Sequence, residues 1–270
     1  MQKSNIILST GTLVWFGLKQ IITLAKGTGY DGVEIVPTRR IVKETIGASD
    51  LKFMKSIHHN WRLDIGQDQK YGINKFTSLI FTILRLIFCP SLPQSKIFIQ
   101  NLSTKLNCPV TVHEISPKWT KDNQSKEFLG GISYEIMDTS TTPDELRRWL
   151  RNSDHSIVVD SRDDQSLLWA KKYGFRDWKE LWTWIGLKKI KGIQLTLIGL
   201  NGIKKILNHE ETLPEQQLLW LYEKRWEGTV TVEVNPISLY ISSQGRLRQG
   251  LKTILNFTRQ TLVYGKKWSY

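Results

Sequence analysis

The sequence is poor in cysteine, and this scarcity bears on the class of protein. Two cysteines occur in 270 residues, Cys89 and Cys108, and a proline follows each of them. Neither has a second cysteine at the spacing of a metal site or of a disulfide framework. A secreted fold held together by disulfides is therefore disfavoured, and we interpret both residues as ordinary thiols.

Long apolar runs and targeting signals are also missing. The most apolar stretch, Leu79–Phe88, is interrupted by Arg85 and falls short of the roughly 20 residues that span a bilayer. The run Met1–Leu8 is typical of a strand, and no small-residue cleavage site follows it. These absences predict a soluble, cytoplasmic protein that does not enter a membrane.

Acidic residues are few relative to basic ones. Lys and Arg number 38 against 25 Asp and Glu, which gives a formal net charge of +13. This excess predicts a negatively charged partner without saying which one. Aromatic residues are plentiful, and the 11 tryptophans exclude a disordered chain.

The chain has no internal repeat and no Gly-rich phosphate loop. Short β-branched runs alternate instead with amphipathic segments, which is typical of βαβ units and a parallel sheet. We identify eight candidate strands: Ile6–Ser9, Gly32–Val36, Lys55–His59, Val110–Ile115, Ile132–Met137, Ile157–Asp160, Gly192–Thr196 and Thr229–Val234. Eight units in this length predict a single domain over residues 1–270, an α/β (β/α)8 TIM barrel. The competing topology is a doubly wound open sheet, which usually carries GxGxxG after its first strand, where this chain has Ser9–Thr12.

Helix signals separate the candidate strands. Thr142 and Glu145 form a predicted capping box around Pro143, and Thr212 with Glu215 repeats the pattern. The glycines Gly27 and Gly29 resemble C-terminal stops after Leu18–Ala25. The remaining predicted helices are Asn74–Phe88, Pro93–Leu106 and a long basic helix, Leu239–Tyr264.

Polar side chains recur at the carboxyl ends of the candidate strands, where TIM barrels carry their chemistry. They are Glu34, His58, His59, His113, Glu135, Asp160, Gln194 and Glu233. A carboxylate in a buried strand is costly unless it is paired or binds a cation. Carboxylate, imidazole and amide groups together suit one divalent ion, Mn²⁺, Mg²⁺, Co²⁺ or Zn²⁺.

The segment Gly29–Ile35, with the sequence GYDGVEI, resembles the second-strand signature of the xylose isomerase-like TIM barrels. That superfamily contains sugar and inositol isomerases, epimerases and dehydratases, and the endonuclease IV group. The resemblance implies a metal site formed by residues of the last four strands: Glu135, Asp160, Gln194 and Glu233. It also implies that His58 or His59 and His113 are pocket histidines.

This sequence departs from the family pattern at two metal-site positions. Asp163 stands where the family often has a histidine three residues after the sixth-strand Asp, and Gln194 stands where histidine is commoner. Leu195–Leu200 offers none of the carboxylate or imidazole ligands expected of a three-zinc endonuclease, which argues against a trinuclear site. One metal remains compatible with the sequence, and so does a degenerate site with none.

The resemblance implies proton transfer next to a carbonyl in a small sugar or polyol that is either free or phosphorylated. Glu135 and Glu233 would act as base and acid, while His113 would hydrogen-bond a substrate hydroxyl. The predicted substrate-binding residues are His58, His59, Trp61, Arg62, Lys118, Arg162 and Arg39. With Arg40, the basic members of this set would form a rim that favours an anionic or polyhydroxylated substrate.

Two alternatives to the isomerase stay open. The first is an endonuclease IV-like phosphodiesterase acting on abasic DNA, which the positive charge favours and the missing ligands disfavour. The second is a noncatalytic barrel with a degenerate metal site. Nonspecific nucleic-acid contact by the basic helices is less favoured than a solvated surface, and the sequence leaves the oligomeric state open.

Overall fold

A ring of parallel strands forms the centre of the computed structural model. The structure describes residues 4–59, 90, 92–106, 110–112, 132–135, 142–151, 155–161, 170–197, 200–234, 239–241, 243 and 246–268. The strands are β1 (Asn5–Ser9), β2 (Gly32–Ile35), β3 (Met54–His59), β4 (Val110–Val112), β5 (Ile132–Glu135), β6 (His155–Asp160), β7 (Ile190–Leu197) and β8 (Thr229–Val234). Each strand pairs in parallel with the next, and β8 pairs with β1, so the described strands close into a barrel.

Helices connect these strands over the outside of the sheet. They are α1 (Leu18–Thr28), α2 (Ala48–Leu51), α3 (Leu92–Leu106), α4 (Pro143–Leu150), α5 (Trp178–Ile185), α6 (Leu200–Leu207), α7 (Leu213–Glu223) and α8 (Leu247–Leu262). The predicted α/β class with a curled parallel sheet is confirmed. The connection between β4 and β5 and the predicted helix Asn74–Phe88 lie outside the described residues, so the complete (β/α)8 alternation stays a prediction. Among the described helices, none has the length and apolar character that crossing a membrane requires.

The two faces of the strands differ sharply in chemistry. The outer face packs against the helices, and residues such as Ile6, Leu8, Val230 and Val232 are fully buried in this apolar core. Alternate residues face the interior of the ring, and paired residues of parallel strands share a face. The interior positions with described side chains are mostly polar or small: Asn5, Ile7, Ser9, Gly32, Glu34, Ser56, Ser156, Val158, Asp160, Gly192, Gln194, Thr196, Thr229, Thr231 and Glu233.

The segment Gly29–Ile35 fixes β2 to the rest of the barrel. Gly29 ends α1 with φ 96°, a left-handed conformation that favours glycine. Tyr30 is buried, and its hydroxyl donates a hydrogen bond of 3.0 Å to the Leu251 carbonyl of α8. Burial raises the pKa of the Tyr30 phenol far above its usual range, and the nearby Arg259 guanidinium opposes that shift.

The next two residues of the same segment hold neighbouring elements close. Asp31 accepts from the Ile6 amide at 2.8 Å and from Arg259 Nη2 at 3.2 Å, and Arg259 also donates to the Gly29 carbonyl at 2.6 Å. Gly32 sits where a Cβ would lie 2.8 Å from the Phe53 carbonyl oxygen. Most of the signature therefore serves the assembly of α1, β1, β2, β3 and α8.

Several predicted helix ends are confirmed. The Thr142 hydroxyl accepts from the Glu145 amide at 3.3 Å, and Glu145 Oε2 accepts from the Thr142 amide at 2.8 Å, as a capping box requires. The pKa of the Glu145 carboxyl is lowered because the Thr142 amide and the Thr142 hydroxyl, the latter at 3.0 Å, both donate to Oε2. Thr212 likewise caps α7 through a 3.3 Å bond from the Glu215 amide.

Two helix predictions are wrong in detail. Gly27 lies inside α1, and the helix stops only at Gly29. The long helix Leu239–Tyr264 is interrupted, because Arg246 has the non-helical angles φ −91° and ψ 62°, and α8 begins at the following residue. The helical period of the sequence continues on both sides of Arg246. Gly250 allows α8 to pack closely against Leu239, because a Cβ on Gly250 would lie 2.8 Å from Leu239 Cδ1.

The tryptophans of the later helices pack internally, as predicted. Trp178, Trp182 and Trp220 join α5 to α7 with ring centroids 4.8 to 6.0 Å apart. Near the end of the chain, the Trp268 amide donates to the buried Glu215 carboxylate at 2.5 Å, and its indole donates to the Ile206 carbonyl at 2.7 Å. These contacts hold the segment after α8 against α6 and α7.

Candidate functional site

Three oxygen-bearing side chains meet on the interior face of β6, β7 and β8. Asp160 is the register partner of Gln194, which is in turn the register partner of Thr231. All three residues are buried, Gln194 at 1% exposure and Asp160 at 6%. Since adjacent strands lie about 4.8 Å apart, the Asp160 carboxyl and the Gln194 amide belong to one polar cluster.

Glu233 lies one step nearer the carboxyl end of the barrel. It is the register partner of Thr196, two residues beyond the Gln194–Thr231 pair, and it is only half-buried. The Thr196 amide donates to Ser161 Oγ at 3.0 Å, which ties β7 to the end of β6. The Thr196 hydroxyl is buried without a hydrogen-bond partner among the described residues.

The turn that follows β1 joins both neighbouring strands at this end of the barrel. Thr10 Oγ1 accepts from the Val36 amide at 2.7 Å and donates to the Val36 carbonyl at 3.3 Å, just beyond β2. Thr12 Oγ1 accepts from the Val234 amide at 3.0 Å and donates to the Val232 carbonyl of β8 at 3.5 Å. The two threonines thus fix the shape of the mouth between β8 and β2.

Gly11, between these threonines, lies close to the Glu233 carboxylate. Its amide donates to Ser9 Oγ at 3.2 Å. A Cβ at this position would lie 3.3 Å from both Ser9 Oγ and Val36 Cγ2, and 3.7 Å from Glu233 Oε1. The turn and the Glu233 carboxylate are therefore in near contact at the mouth.

A third carboxylate lies on the opposite side of the interior. Glu34 of β2 is 2% exposed, and Ser56 Oγ of β3 donates to its Oε2 at 3.1 Å. Because β2 and β6 are four strands apart in the closed order, Glu34 and Asp160 line opposite walls. The interior at this end is thus acidic on both sides.

Apart from Arg39, the other predicted site residues fall into two groups. Glu135, His58 and His59 occupy backbone positions at the ends of β5 and β3, where Glu135 is in register with Val158 and His58 with Thr111. The second group, which lies outside the described residues, consists of His113, Trp61, Arg62, Lys118 and Arg162.

Two arginines of the predicted rim are described. Arg39 is an exposed residue after β2. Arg40 Nη1 donates to the Trp15 carbonyl at 2.9 Å, and its Nε lies 3.8 Å from Glu44 Oε1. The Arg40 guanidinium therefore holds the loops after β1 and β2 together.

The described residues fit a divalent cation by the chemistry of their donors. Asp160, Gln194 and Glu233 supply carboxylate and amide oxygens from three consecutive strands, the ligand types that Mg²⁺ and Mn²⁺ prefer. No group of three His, Cys, Asp or Glu side chains within the described part of the chain is close enough to hold a metal alone. A complete site would need Gln194 and a donor such as Glu135, whose backbone ends the neighbouring strand β5.

Sequence reasoning missed the hydroxyl groups that shape this end of the barrel. Thr10, Thr12, Ser161 and Thr196 bridge strands there, and Ser56 holds Glu34. The run Ser9–Thr12, directly after the first strand, is a visible signal of a hydroxyl-rich turn. Its partners lie 26 and 222 residues away, and no local pattern reveals them.

Comparison with known proteins supports the fold. No protein-family model matches the sequence, and no curated protein matches it significantly. A solved xylose isomerase domain-containing protein from Salmonella typhimurium LT2 aligns over 97% of this chain and 98% of its own, with TM-score 0.57 and 10% identity. This alignment supports an α/β fold with a parallel, curled sheet.

Two further solved structures align with lower scores. A protein from Parabacteroides distasonis covers 93% of this chain and 98% of its own, with TM-score 0.36 and 12% identity. A mutant tryptophan synthase α-subunit from Pyrococcus furiosus covers 98% of this chain and 100% of its own, with TM-score 0.38 and 11% identity.

Proposed function

We propose that this protein is a metal-dependent isomerase or epimerase of a small sugar or polyol, built on a complete (β/α)8 barrel. The observation that carries the proposal is the placement of Asp160, Gln194 and Glu233 on one interior face at the carboxyl end of the strands. Active sites of such barrels lie at this end. The solved relative's description as a xylose isomerase domain-containing protein supports the same choice.

The proposed metal ligands are Glu135, Asp160, Gln194 and Glu233. A divalent ion bound there would supply Lewis-acid polarisation of a substrate carbonyl. Asp160 and Gln194 are the deeply buried members, and their role is to hold the ion. Their burial would keep bulk water away from a bound ion and so would strengthen its electrostatic effect.

Proton transfer falls to the two glutamates. Glu233 is half-buried and nearer the mouth, so an entering substrate meets its carboxylate first. In the proposed reaction, one carboxylate oxygen of Glu233 removes the proton from the carbon beside the carbonyl. Glu135, on the other side of the cluster, would start the reaction protonated and give that proton to the substrate, while Glu233 keeps the proton that it has taken and later releases it to solvent. General acid–base catalysis of this kind contributes about 10² to 10⁴ in rate.

The proposal can be tested without knowing the substrate. The protein with Mn²⁺ is incubated in D2O with a panel of free and phosphorylated sugars and polyols, and loss of carbon-bound proton signals is followed by NMR. Wild-type protein and Glu227→Gln, a change at an exposed glutamate before β8, should both exchange one substrate. Glu233→Gln should exchange it at least about 100-fold more slowly.

The same experiment distinguishes the alternatives. No exchange in the wild type, or equal exchange in both variants, would contradict the isomerase. Elemental analysis showing no metal after incubation with Mn²⁺, Mg²⁺, Co²⁺ or Zn²⁺ would favour the noncatalytic barrel. Nicking of an abasic duplex in the presence of Zn²⁺ would favour the endonuclease.

A further inference from the structure

Many basic residues lie at the end of the barrel opposite the candidate site, in the turns that lead into the strands. Because all strands run in parallel, the residues that precede or begin each strand lie together at the amino ends. We define the amino-end face by these residues and by the segment after α8. Its basic members are Lys26, Lys52, Lys55, Lys105, Arg151, Lys188, Lys189, Lys191, Lys224, Arg225, Arg259, Lys266 and Lys267.

Few acidic residues oppose this charge. Within the described turns of this face they are Asp31, Asp50, Glu223 and Glu227. Asp31 is already engaged by Arg259 and by the Ile6 amide. The face therefore has a strong net positive charge and a correspondingly positive potential.

Several of these lysines direct their ammonium groups at neutral partners. Lys55 Nζ donates to the Lys52 carbonyl at 3.3 Å. Lys26 Nζ lies 5.0 Å from the Phe53 ring centroid, and Lys224 Nζ lies 5.8 Å from that of Trp220. Such contacts orient an ammonium without neutralising it, so its charge still acts on a ligand.

Two exposed tyrosines lie within the same face. Tyr222 at the end of α7 is 38% exposed, and Tyr264 after α8 is 57% exposed. Gly265, with φ 61°, packs against the Tyr222 ring so closely that a Cβ would collide with it. Because Gly265 lies between Tyr264 and Lys266 in the chain, this packing brings the segment that holds both residues against Tyr222.

We infer that the amino-end face binds the backbone of a nucleic acid without reading its sequence. The charge complements a row of phosphates, and exposed aromatic rings among basic residues suit the stacking of unpaired bases. Anionic membranes are disfavoured, because surface-binding proteins add inserted apolar side chains to their charge. The described large exposed apolar residues of this face are tyrosines. This surface is separate from the candidate site and does not depend on the proposed function.

Fluorescence anisotropy with labelled 25-nucleotide probes tests the inference. Single-stranded and duplex probes are titrated with the full chain at 50 and 200 mM KCl. The test variant changes Lys188, Lys191, Lys224 and Arg225 to Ala. The control variant removes the same charge from exposed lysines outside this face, namely Lys19, Lys43, Lys171 and Lys172.

Wild-type affinity should fall about 10³-fold between the two salt concentrations if about six phosphates are contacted. The test variant should bind at least about 10-fold more weakly at 50 mM KCl, with a shallower salt dependence, and the control should bind within about twofold of the wild type. Tyr222→Ala should weaken single-stranded binding more than duplex binding.

Three results would overturn the inference. They are no binding at 50 mM KCl, equal losses in the test and control variants, and tighter binding to vesicles containing phosphatidylserine than to either probe. Glu233→Gln should bind the probes as the wild type does, so failure of the isomerase proposal and failure of this inference are distinguishable.

Discussion

The two ends of the barrel are built from different residues. At the carboxyl end, the interior is lined by carboxylates, an amide and hydroxyls, and threonines tie the strands together. At the amino end, the turns are rich in lysine and arginine, and Gly29, Asp31 and Gly32 are used for close packing. The interior chemistry is acidic at one end, and the surface chemistry is basic at the other.

The positive charge of the chain is located differently from the prediction. The predicted basic rim at the mouth is described only at Arg39 and Arg40, and Arg40 is engaged by Trp15 and Glu44. The described excess of positive charge lies instead at the amino ends of the strands.

The largest expected difference between the ends concerns metal binding. Asp160→Asn should lower Mn²⁺ affinity at least about 100-fold, because it removes a buried carboxylate from the proposed site. Isothermal titration with Mn²⁺ measures the change, with Asp50→Asn at the amino end as the control. Similar affinities in both variants would mean that Asp160 is not a ligand.

For stability, a glycine substitution at the amino end should have a larger effect than one at the carboxyl end. Gly32→Ala should lower the free energy of unfolding by about 1–3 kcal/mol, since its Cβ would meet the Phe53 backbone. Gly11→Ala at the mouth should lower it less, because the nearest contacts are side chains that can shift slightly. Urea unfolding measures both free energies of unfolding. A greater loss in Gly11→Ala than in Gly32→Ala would mean that the close packing at Gly32 is not the more sensitive of the two.

Tyr30 should give the amino end a distinctive alkaline pH dependence. At pH 7, Tyr30→Phe should cost about 1 kcal/mol through the lost hydrogen bond to the Leu251 carbonyl. The folded-state pKa of Tyr30 is raised, so its stabilising effect is present below the unfolded pKa of about 10 and falls as the pH rises above it.

The cost of Tyr30→Phe should therefore shrink above about pH 10, as measured by urea unfolding at several pH values. Tyr240→Phe, at an exposed tyrosine beyond β8, should leave stability unchanged throughout. A cost for Tyr30→Phe that is constant with pH would mean that Tyr30 ionises alike in the folded and unfolded chains.

The smallest expected effect concerns hydroxyls at the mouth. Thr196→Val should leave stability unchanged or raise it by up to about 1 kcal/mol, because the buried Thr196 hydroxyl has no described partner. Ser161→Ala should cost about 1 kcal/mol, since it leaves the Thr196 amide unsatisfied. Thermal unfolding ranks the two variants, and the opposite order would show that the Thr196 hydroxyl stabilises the fold.

The sequence was most informative about features that depend on near neighbours. Thr142 and Glu145 are three residues apart, so their capping box follows from local chemistry alone. Buried β-branched runs likewise predicted strands such as Thr229–Val234 with its observed bounds. The break at Arg246 was missed because the helical period continues across it, and tertiary packing of Gly250 against Leu239 decides the geometry.

The candidate site was predictable in its residue types but not in its arrangement. Parallel pairing explains why Asp160 and Gln194 are neighbours, once β6 and β7 are known to be adjacent. The opposed position of Glu34 depends on closure of the ring, which no local pattern contains. Hydroxyl bridges such as Thr12 to Val234 join residues 222 positions apart and appear only in the folded chain.

The contacts of α8 with the turn before β2 have a consequence for the synthesis of the protein. Gly29 receives its hydrogen bond from Arg259, which is translated 230 residues later. At about 5–20 residues per second, this interval lasts on the order of 10 s or more. For most of that time the nascent sheet also has an unpaired β1 edge, because its partner β8 is made only about 200 residues after β1; such an edge is prone to join other chains.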